Sequence, residues 1–286
     1  MVALIHTLNL NRRKICIDFD YIRKLVRQHS AVVLDADKEY LAELHLAPLA
    51  TTAGFNSIAD LIAHLQIQPF STLHIQAIEA LITNETSFFR DFHPFEALKN
   101  FVLPEMIQRQ QGIPVLNIWC AAASNGQEAY SIAMLIREHF PLLAGGKVKL
   151  IASDFSIKVL TRARQGIYND FEISRGLSKS LRDRYFQKQG NEWLLNQEIR
   201  QMVEFRHLNL LESWSALPRM DIIFMRNVLL YFDTETKNAI LTKVSRLLKS
   251  DGYLFMGGGE TTINLINSFV RVQLGKTICY QPQKNS

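Results

Sequence analysis

The stretch LNIWCAAASNGQEAYSIAM, residues 116–134, decides the fold because its hydrophobic pattern changes from that of a strand to that of a helix. Residues 115–119 form a short apolar run typical of a buried parallel strand, and residues 120–126 are almost all small. After this loop apolar residues recur at helical spacing, and Ser124 with Gln127 predicts a capping box. The stretch therefore predicts a strand, a small-residue loop and a helix N-terminus, where α/β proteins commonly bind a ligand.

The residues around this junction favour a ligand with an adenosine and no phosphate. The glycine fingerprint G-x-G-x-x-G of dinucleotide sites is absent, and Gly126 alone gives a pyrophosphate little close approach to the backbone. The next strand, in KVKLIASDFS, runs apolar into Asp154, an acid placed to accept hydrogen bonds from ribose hydroxyls. The alternative is an ordinary packing turn followed by a solvated aspartate.

The composition is that of a soluble globular protein, with 48% hydrophobic and 21% charged residues in a chain of 286. Cys16, Cys120 and Cys279 are far apart and lack C-x-x-C spacing, so we expect neither a disulfide framework nor a metal site. The N-terminal apolar residues precede the basic ones, the wrong order for a signal peptide, and no run reaches the roughly 20 apolar residues of a membrane span. We expect a cytoplasmic protein without direct membrane insertion.

The positive net charge belongs to the C-terminal part of the chain. Residues 1–83 hold 7 Lys and Arg against 8 Asp and Glu, whereas residues 84–286 hold 25 against 19. A pI of about 9.1 would suit a nucleic-acid partner, but the longest basic run is residues 12–14 and no basic stripe with interleaved aromatics occurs. An acidic protein partner explains the surplus as well.

Residues 1–83 are expected to form a small all-α domain, because residues 18–82 predict four short helices without a strand pattern. The predicted stripes are Phe19, Ile22, Leu25 and Val26; Tyr40, Leu41 and Leu44; Leu61, Ile62 and Leu65; and Leu73, Ala77, Ile78 and Leu81. On the first helix Arg23, Lys24 and Arg27 lie away from the stripe, either as a solvated face or as a docking surface for acidic groups.

Residues 84–112 predict a linker that contributes to the ligand site. In NETSFFRDF the polar residues Asn84, Thr86 and Arg90 are interleaved with two phenylalanines. This pattern is expected where aromatic side chains anchor a segment and polar ones point into a cleft. The alternative is a helix cap followed by an amphipathic turn.

Residues 113–286 predict a doubly wound α/β sheet of five alternating strand and helix units that ends in a hairpin. A helix is expected to end at Gly166, residues 167–187 predict irregular helix, and a small antiparallel β insert is expected at about 190–205. The segment MDIIFMRNVLLYF predicts a central strand, and the helix after it is expected to end at Gly252.

A series of motifs then points to a family. In chain order they are NETSFFR, AAASNGQEAYSIAM, ASDFS, GIYNDFEISRGLS, RYF, RNVLLYFD and SDGYLFMGG. In content and order they resemble those of the bacterial chemotaxis receptor methyltransferases, and the likeness covers residues 18–281. The resemblance implies a protein-glutamate O-methyltransferase that transfers a methyl group from S-adenosylmethionine to the cytoplasmic helical region of methyl-accepting chemoreceptors.

The resemblance also implies the positions that contact the cofactor. These are Asn84, Thr86, Arg90, Glu128, Asp154, Asn209, Leu210, Asn227 and Val228. Charge chemistry agrees for three of them, because Asp154 suits the ribose diol, Glu128 the ammonium and Arg90 the carboxylate of the methionyl part. Arg90 and Tyr231 are the candidate catalytic residues, expected to orient the substrate carboxylate.

The implied chemistry needs no general base, since a glutamate with a pKa of about 4.3 is already an anion at pH 7. Two other functions stay open. A methyltransferase for nucleic-acid amines typically has an (Asp/Asn)-Pro-Pro-(Tyr/Phe) cluster after the fourth strand, where this chain has RNVLLYFD without proline. The other is a non-catalytic module that kept the fold and lost the chemistry, and the intact Arg90, Glu128, Asp154 and Asn227 argue against it.

Three features depart from the family pattern. Ala129 stands where proline is usual, and residues 258–260 read Gly-Gly-Glu in place of a commoner His-Ser-Glu, and we expect neither change to touch a group needed for chemistry. The β insert is a few residues shorter than in members that hold a tethering pentapeptide at the receptor's C-terminus. We therefore expect docking through Arg23, Lys24 and Arg27 of the helical domain. The enzyme is expected to be a monomer.

Overall fold

The computed structural model describes residues 19–35, 39–109, 115–262 and 267–283. Contacts divide the chain into two units, Met1–Thr83 with Tyr231–Asp233, and Asn84–Leu230 with Thr234–Ser286. The segment 84–112, predicted as a separate linker, belongs to the same unit as the residues after it.

The first unit is built of helices in its described part. They span residues 19–30 (α1), Glu39–Thr52 (α2), Ile58–Ile67 (α3) and Thr72–Leu81 (α4). Ser57 caps α3, because its hydroxyl accepts the backbone N–H of Asp60 at 3.1 Å. The prediction of an all-α N-terminal domain is confirmed.

The predicted apolar stripes are buried in α1 and α3, but the stripe predicted for α2 is wrong. Tyr40 and Leu44 are 64% and 65% exposed, and the side chain of Leu41 lies outside the described residues. The helix buries Leu46 and Ala50 instead. Apolar residues occur all round α2, so their spacing alone does not select the face that packs.

The second unit contains a seven-stranded and a three-stranded sheet. The strands are Leu116–Ala121 (β1), Val148–Asp154 (β2), Ile167–Asn169 (β3), Phe186–Gln189 (β4), Glu192–Leu195 (β5), Val203–His207 (β6), Met220–Met225 (β7), Leu248–Met256 (β8), Phe269–Leu274 (β9) and Thr277–Pro282 (β10). The helices are His93–Ala97 (α5), Leu103–Arg109 (α6), Gln127–His139 (α7), Pro141–Ala144 (α8), Ile157–Gln165 (α9), Asp170–Ser174 (α10), Lys179–Tyr185 (α11), Gln197–Arg200 (α12) and Thr234–Leu247 (α13).

The large sheet has the strand order β6-β2-β1-β7-β8-β10-β9. The first five of these strands pair in parallel, and β10 joins them antiparallel with β9 at the edge. The chain moves outward from β1 to β2 and β6, then restarts on the other side with β7 and β8. The order therefore reverses between β1 and β7, and ligands of open α/β sheets bind at such a switch point, beyond the carboxyl ends of the strands. The predicted doubly wound sheet with a terminal hairpin is confirmed.

The small antiparallel sheet differs in position from the predicted insert at about 190–205. It has the order β3-β5-β4 and so begins at Ile167 and ends at Leu195. After it come α12 and then β6, which pairs in parallel with β2 in the large sheet. Irregular helix was predicted over 167–187, but the first residues of this range form β3 and the last ones belong to β4. Strands as short as β3 contain too few residues for an alternating pattern to be detected.

The two predicted helix ends have different outcomes. Gly166 ends α9 in the left-handed conformation, with φ of 65°, as predicted. Gly252 does not end α13, which stops at Leu247, because Gly252 lies inside β8. None of the helices in the described ranges combines the length and the apolarity that a bilayer crossing requires.

The close approach of Gly176 to the 84–92 segment gives a test of the fold. Gly176 has φ of +84°, and an added Cβ would lie 1.9 Å from the carbonyl oxygen of Phe88. Gly190 has φ of +61° and nothing within 4 Å of its added Cβ. Both alanine substitutions carry the left-handed cost of about 1–2 kcal/mol. Only Gly176→Ala must also displace backbone, so we expect it to lower the free energy of unfolding by about 2 kcal/mol more than Gly190→Ala.

Urea unfolding of the two variants measures this difference. Equal losses would show that the backbone of Phe88 moves freely away from residue 176.

Candidate active site

The loop between β1 and α7 has an unusual backbone. Ala122 and Ser124 have positive φ, 55° and 50°, and the helix begins after Gly126, which has φ of 88°. The predicted capping box of Ser124 with Gln127 is wrong, because Gly126 is the N-cap residue and makes no side-chain cap. The hydroxyl of Ser124 donates instead to the carbonyl oxygen of Asn84 at 2.7 Å. This bond joins the small-residue loop to the NETSFFR segment.

Asp154 is the last residue of β2 and is only 7% exposed. Its Oδ2 accepts the N–H of Ser124 and its Oδ1 accepts the N–H of Ser156, both at 2.9 Å. Its carbonyl oxygen accepts the N–H of Leu208 at 3.0 Å. Asp154 therefore holds the loops that follow β1, β2 and β6, three adjacent strands of the sheet.

Glu128 lies in the first turn of α7 and pairs with Arg226, which directly follows β7. The Arg226 side chain is 1% exposed, and its Nη1 donates to Glu128 Oε2 at 2.8 Å. Its Nη2 donates to Asp91 Oδ2 at 2.7 Å and to the carbonyl oxygen of Arg90 at 2.9 Å. Arg226 thus joins α7, the end of β7 and the 84–92 segment. Sequence reasoning did not single it out, although a charged residue directly after an apolar central strand is a signal for a site.

Burial raises the pKa of Glu128, and the guanidinium of Arg226 opposes that rise. Arg90 opposes it to a smaller extent, and Glu260 adds to it. Removing one partner of a buried ion pair leaves an uncompensated charge, which typically costs about 3–5 kcal/mol. The orientation of Glu128 therefore depends on Arg226.

Asn227 and Val228 lie in a loop that the carboxylate of Glu260 holds. Glu260 Oε2 accepts the N–H groups of Asn227 and Gly257, both at 2.7 Å. Its Oε1 accepts those of Val228 at 2.9 Å and Leu230 at 3.2 Å. Sequence reasoning did not single out Glu260, whose carboxylate accepts backbone N–H groups of the predicted positions Asn227 and Val228. The signal was an acid shortly after β8, a parallel neighbour of β7.

The 84–92 segment is anchored by an aromatic side chain, as its pattern predicts. The Phe88 ring is fully buried and meets the rings of Tyr168 and Phe186 edge-on, with centroids 5.0 and 5.6 Å away. Thr86 and Arg90 are half-buried, and Arg90 Nη1 donates to the carbonyl oxygen of Glu85 at 3.0 Å.

The loop after β6 carries Asn209 and Leu210. The side-chain oxygen of Asn209 accepts the N–H of Leu211 at 3.0 Å, and its carbonyl oxygen accepts the N–H of Glu212 at 3.0 Å. Leu210 is buried. The structure therefore places all the predicted cofactor positions in the second unit.

Backbone strain is concentrated in these loops. Among the described residues seven that are not glycine have positive φ, and six of them lie at 89–92, 122–124 and 227. Such conformations cost about 1–3 kcal/mol each and cluster at functional sites.

Tyr231 is the predicted site residue that the contacts do not group with the others. It belongs to the first unit, where its carbonyl oxygen accepts the N–H of Val33 at 2.8 Å. With Phe19, Asp35 and His45 it lines a cavity of about 120 Å³ in that unit.

The second unit has a set of charged side chains that fits S-adenosylmethionine. Two buried carboxylates, Glu128 and Asp154, suit an ammonium and a ribose diol, and the cation Arg90 suits a carboxylate. The small residues from Ala121 to Gly126 permit close approach to the backbone. No cluster of three or more His, Cys, Asp or Glu suited to a metal ion occurs among the described residues.

This fold and site define the class of S-adenosylmethionine-dependent methyltransferases. The family model described as "CheR methyltransferase, SAM binding domain" matches residues 84–278, and "CheR methyltransferase, all-alpha domain" matches residues 17–82. The chain therefore belongs to the CheR methyltransferase family, and the predicted family, enzyme class and cofactor are confirmed.

Curated relatives agree with this assignment. "Chemotaxis protein methyltransferase Cher2" of Pseudomonas putida is 40% identical over 270 residues, which cover 93% of this chain and 98% of the relative. "Chemotaxis protein methyltransferase 1" of Pseudomonas aeruginosa is 40% identical over 268 residues, with 92% and 97% covered. "Chemotaxis protein methyltransferase 1" of Vibrio cholerae is 37% identical over 265 residues, with 92% and 95% covered.

The pairing of Arg226 with Glu128 gives a test that separates the two ends of the cofactor. Arg226→Met leaves Glu128 buried without its cation, so its pKa rises further and its neutral, protonated form is favoured. A neutral carboxyl attracts an ammonium weakly. We expect S-adenosylhomocysteine to bind about tenfold to a hundredfold less tightly, while 5′-methylthioadenosine, which lacks the amino-acid part, keeps its affinity.

Calorimetric titration across pH measures both ligands. The affinity of Arg226→Met for S-adenosylhomocysteine should recover as rising pH removes the proton from Glu128, whereas Glu128→Gln should lose affinity without that recovery. An equal loss for both ligands would mean that Arg226 supports only the fold.

Proposed function

We propose that this enzyme transfers methyl groups from S-adenosylmethionine to glutamate side chains of chemoreceptors, in chemotaxis or a related signalling pathway. The observation that carries the proposal is the joint match of both CheR domains, in order, over almost the whole chain. The relatives named as chemotaxis protein methyltransferases support it, because they align with this chain over nearly their full length.

Cofactor binding is proposed to use the side chains that line the switch point. Asp154 binds the ribose diol, since a carboxylate is a strong acceptor of hydrogen bonds from hydroxyl groups. Glu128 binds the ammonium with the oxygen opposite the one that Arg226 holds, and Arg90 binds the carboxylate. The remaining contacts are Asn84, Thr86, Asn209, Leu210, Asn227 and Val228.

The enzyme's contribution to methyl transfer is proposed to be positioning. The bound cofactor supplies an electrophilic methyl group on a sulfonium. The acceptor glutamate is already an anion at pH 7, so no residue of this chain has to remove a proton. Arg90 and Tyr231 orient the acceptor carboxylate, and holding reacting atoms in line at about 3 Å supplies several kcal/mol of the barrier reduction.

The two alternative functions have less support. A nucleic-acid amine methyltransferase would need a group that assists loss of the amine proton, and the RNVLLYFD segment has no proline cluster for it. In this segment the backbone N–H groups of Asn227 and Val228 donate hydrogen bonds to the carboxylate of Glu260. A non-catalytic module is not favoured by the relatives, which are named as methyltransferases.

Docking is proposed to use the basic face of α1, with the enzyme acting as a monomer in the cytoplasm on the helical region of the receptor. Lys24 is exposed on this face. Arg23 donates from Nε to the carbonyl oxygen of Leu34 at 2.8 Å, and Arg27 pairs with Asp233 at 2.8 Å. Charge reversal at either arginine would therefore also disturb contacts inside the protein, whereas Lys24 offers a cleaner test.

The chemical nature of the product gives the first test of this function. With a tritiated methyl donor and receptor-containing membranes, we expect label on receptor glutamate as a methyl ester that mild alkali releases as methanol. Replacing the target glutamate by glutamine should abolish labelling there, because an amide oxygen is a poor nucleophile beside a carboxylate. Alkali-stable label on nitrogen would contradict the proposal.

The docking mode gives a second test. Lys24→Glu should lower the methylation rate severalfold and reduce its dependence on salt, as expected when exposed charges steer association. Lys147→Glu is the matched control, because Lys147 is exposed just before β2, at the sheet edge opposite the carboxyl ends. Deleting the receptor's C-terminal tail should leave the rate nearly unchanged. A rate that collapses on tail deletion and ignores Lys24→Glu would show that the β insert holds a tether.

A further inference from the structure

Lys243, in the third turn of α13, makes an unusual set of hydrogen bonds to the loop after β6. Its Nζ donates to the carbonyl oxygens of Leu210, Leu211 and Glu212, each at 2.9 Å. A lysine ammonium has three N–H donors, so the three bonds use all of them. The partners are consecutive backbone groups, so this contact constrains the path of the loop.

The three carbonyl groups converge on one point because the ammonium is there. Their oxygen atoms carry partial negative charge and repel one another when no cation lies between them. Without the ammonium, the carbonyl group of the buried Leu210 would also need another donor. The conformation of residues 210–212 therefore depends on the side chain of Lys243.

Trp214 fixes the ammonium from another side. Lys243 Nζ lies 5.0 Å from the centroid of the Trp214 ring, within the range of a cation–π contact. That ring meets Trp119 of β1 edge-on, with centroids 5.0 Å apart, and Trp119 Nε1 donates to Ser153 Oγ at 2.9 Å. The contacts connect Lys243 to the two strands whose carboxyl ends border the site.

The loop is fixed at two points, and a proposed cofactor contact lies between them. Leu208 donates its N–H to the carbonyl oxygen of Asp154 at 3.0 Å, and Lys243 holds the loop from Leu210 onward. Asn209 lies between these points. Because Asp154 is proposed to bind the ribose, this part of the loop lies where the adenosine end of the cofactor is expected.

We propose that Lys243 is a positioning residue, which holds the loop 208–212 in the shape that binds the adenine end of S-adenosylmethionine. The inference rests on the proposed cofactor site. Lys243 acts through the backbone of Leu210, Leu211 and Glu212, so its effect falls on cofactor binding and leaves the reacting atoms untouched. Its loss therefore raises the KM for S-adenosylmethionine and leaves kcat at saturation nearly unchanged.

The experiment compares Lys243→Met, which keeps much of the apolar stem and removes the donors, with Lys243→Arg, which keeps a cation and its donors. Arg246→Met, an exposed change on the same helix, is the control. Binding of S-adenosylhomocysteine and 5′-methylthioadenosine is measured for each full-length variant. Both ligands contain adenine, so we expect Lys243→Met to weaken both by about tenfold or more, and Lys243→Arg to recover part of the loss.

Hydrogen exchange of the ligand-free proteins adds a direct measurement of the loop. Lys243→Met should speed exchange of the amides in residues 208–214 and leave the amides of β1 and β7 unchanged. This measurement also reports whether the variant is folded. If Lys243→Met does not fold, the comparison of Lys243→Arg with wild type decides, because an altered guanidinium geometry should still weaken both ligands severalfold without lowering kcat.

The outcomes separate the inference from the function on which it rests. Wild-type protein that binds neither ligand would remove the proposed cofactor site itself. Wild-type binding together with variants that keep both affinities within twofold would overturn only the role of Lys243. A fall in kcat with unchanged KM would overturn it as well, because the residue would then act on the chemical step.

Discussion

The geometry of the site depends on one buried guanidinium. The Arg226 side chain is removed from water, and a buried charge is tolerated only with partners that satisfy it. Its partners come from α7 and from the 84–92 segment, which are both distant from Arg226 in the sequence. The cost of leaving Arg226 unpaired therefore favours the arrangement in which Glu128, Asp91 and the carbonyl group of Arg90 all meet at the end of β7.

Carboxylates hold the other loops, and they do so through backbone N–H groups. Asp154 joins the loops after β1 and β2, and Glu260 binds four N–H groups around residues 227–230 and 257. Each such bond is charge-assisted and stronger than a neutral one. The same loops contain the left-handed residues Ala122, Ser124 and Asn227. Strained conformations persist only where surrounding contacts over-determine them, and these carboxylates supply such contacts.

The sequence predicted those elements that depend on a local pattern of residues. The change of period across residues 116–134 is a local signal, and it located both the switch-point strand and the helix that carries Glu128. The roles of Arg226 and Glu260 were missed, because their partners are distant in the chain and become neighbours only once β7 pairs with β1 and with β8. The capping box at Ser124 failed for a similar reason: its hydroxyl has a distant backbone partner in Asn84. The β insert was misplaced because its strands are only three or four residues long.

A reaction that needs no general base places a particular demand on this site. Acid–base catalysis tolerates small displacements when a proton can pass through a water molecule, whereas in-line methyl transfer loses rate with each small misplacement of the reacting atoms. The second unit meets this demand by fixing its loops to one another: Ser124 to Asn84, Leu208 to Asp154, and Arg90 to Arg226. Each loop is thereby held by a neighbour that belongs to the same site. These cross-loop bonds therefore add to the support that the sheet beneath gives the loops.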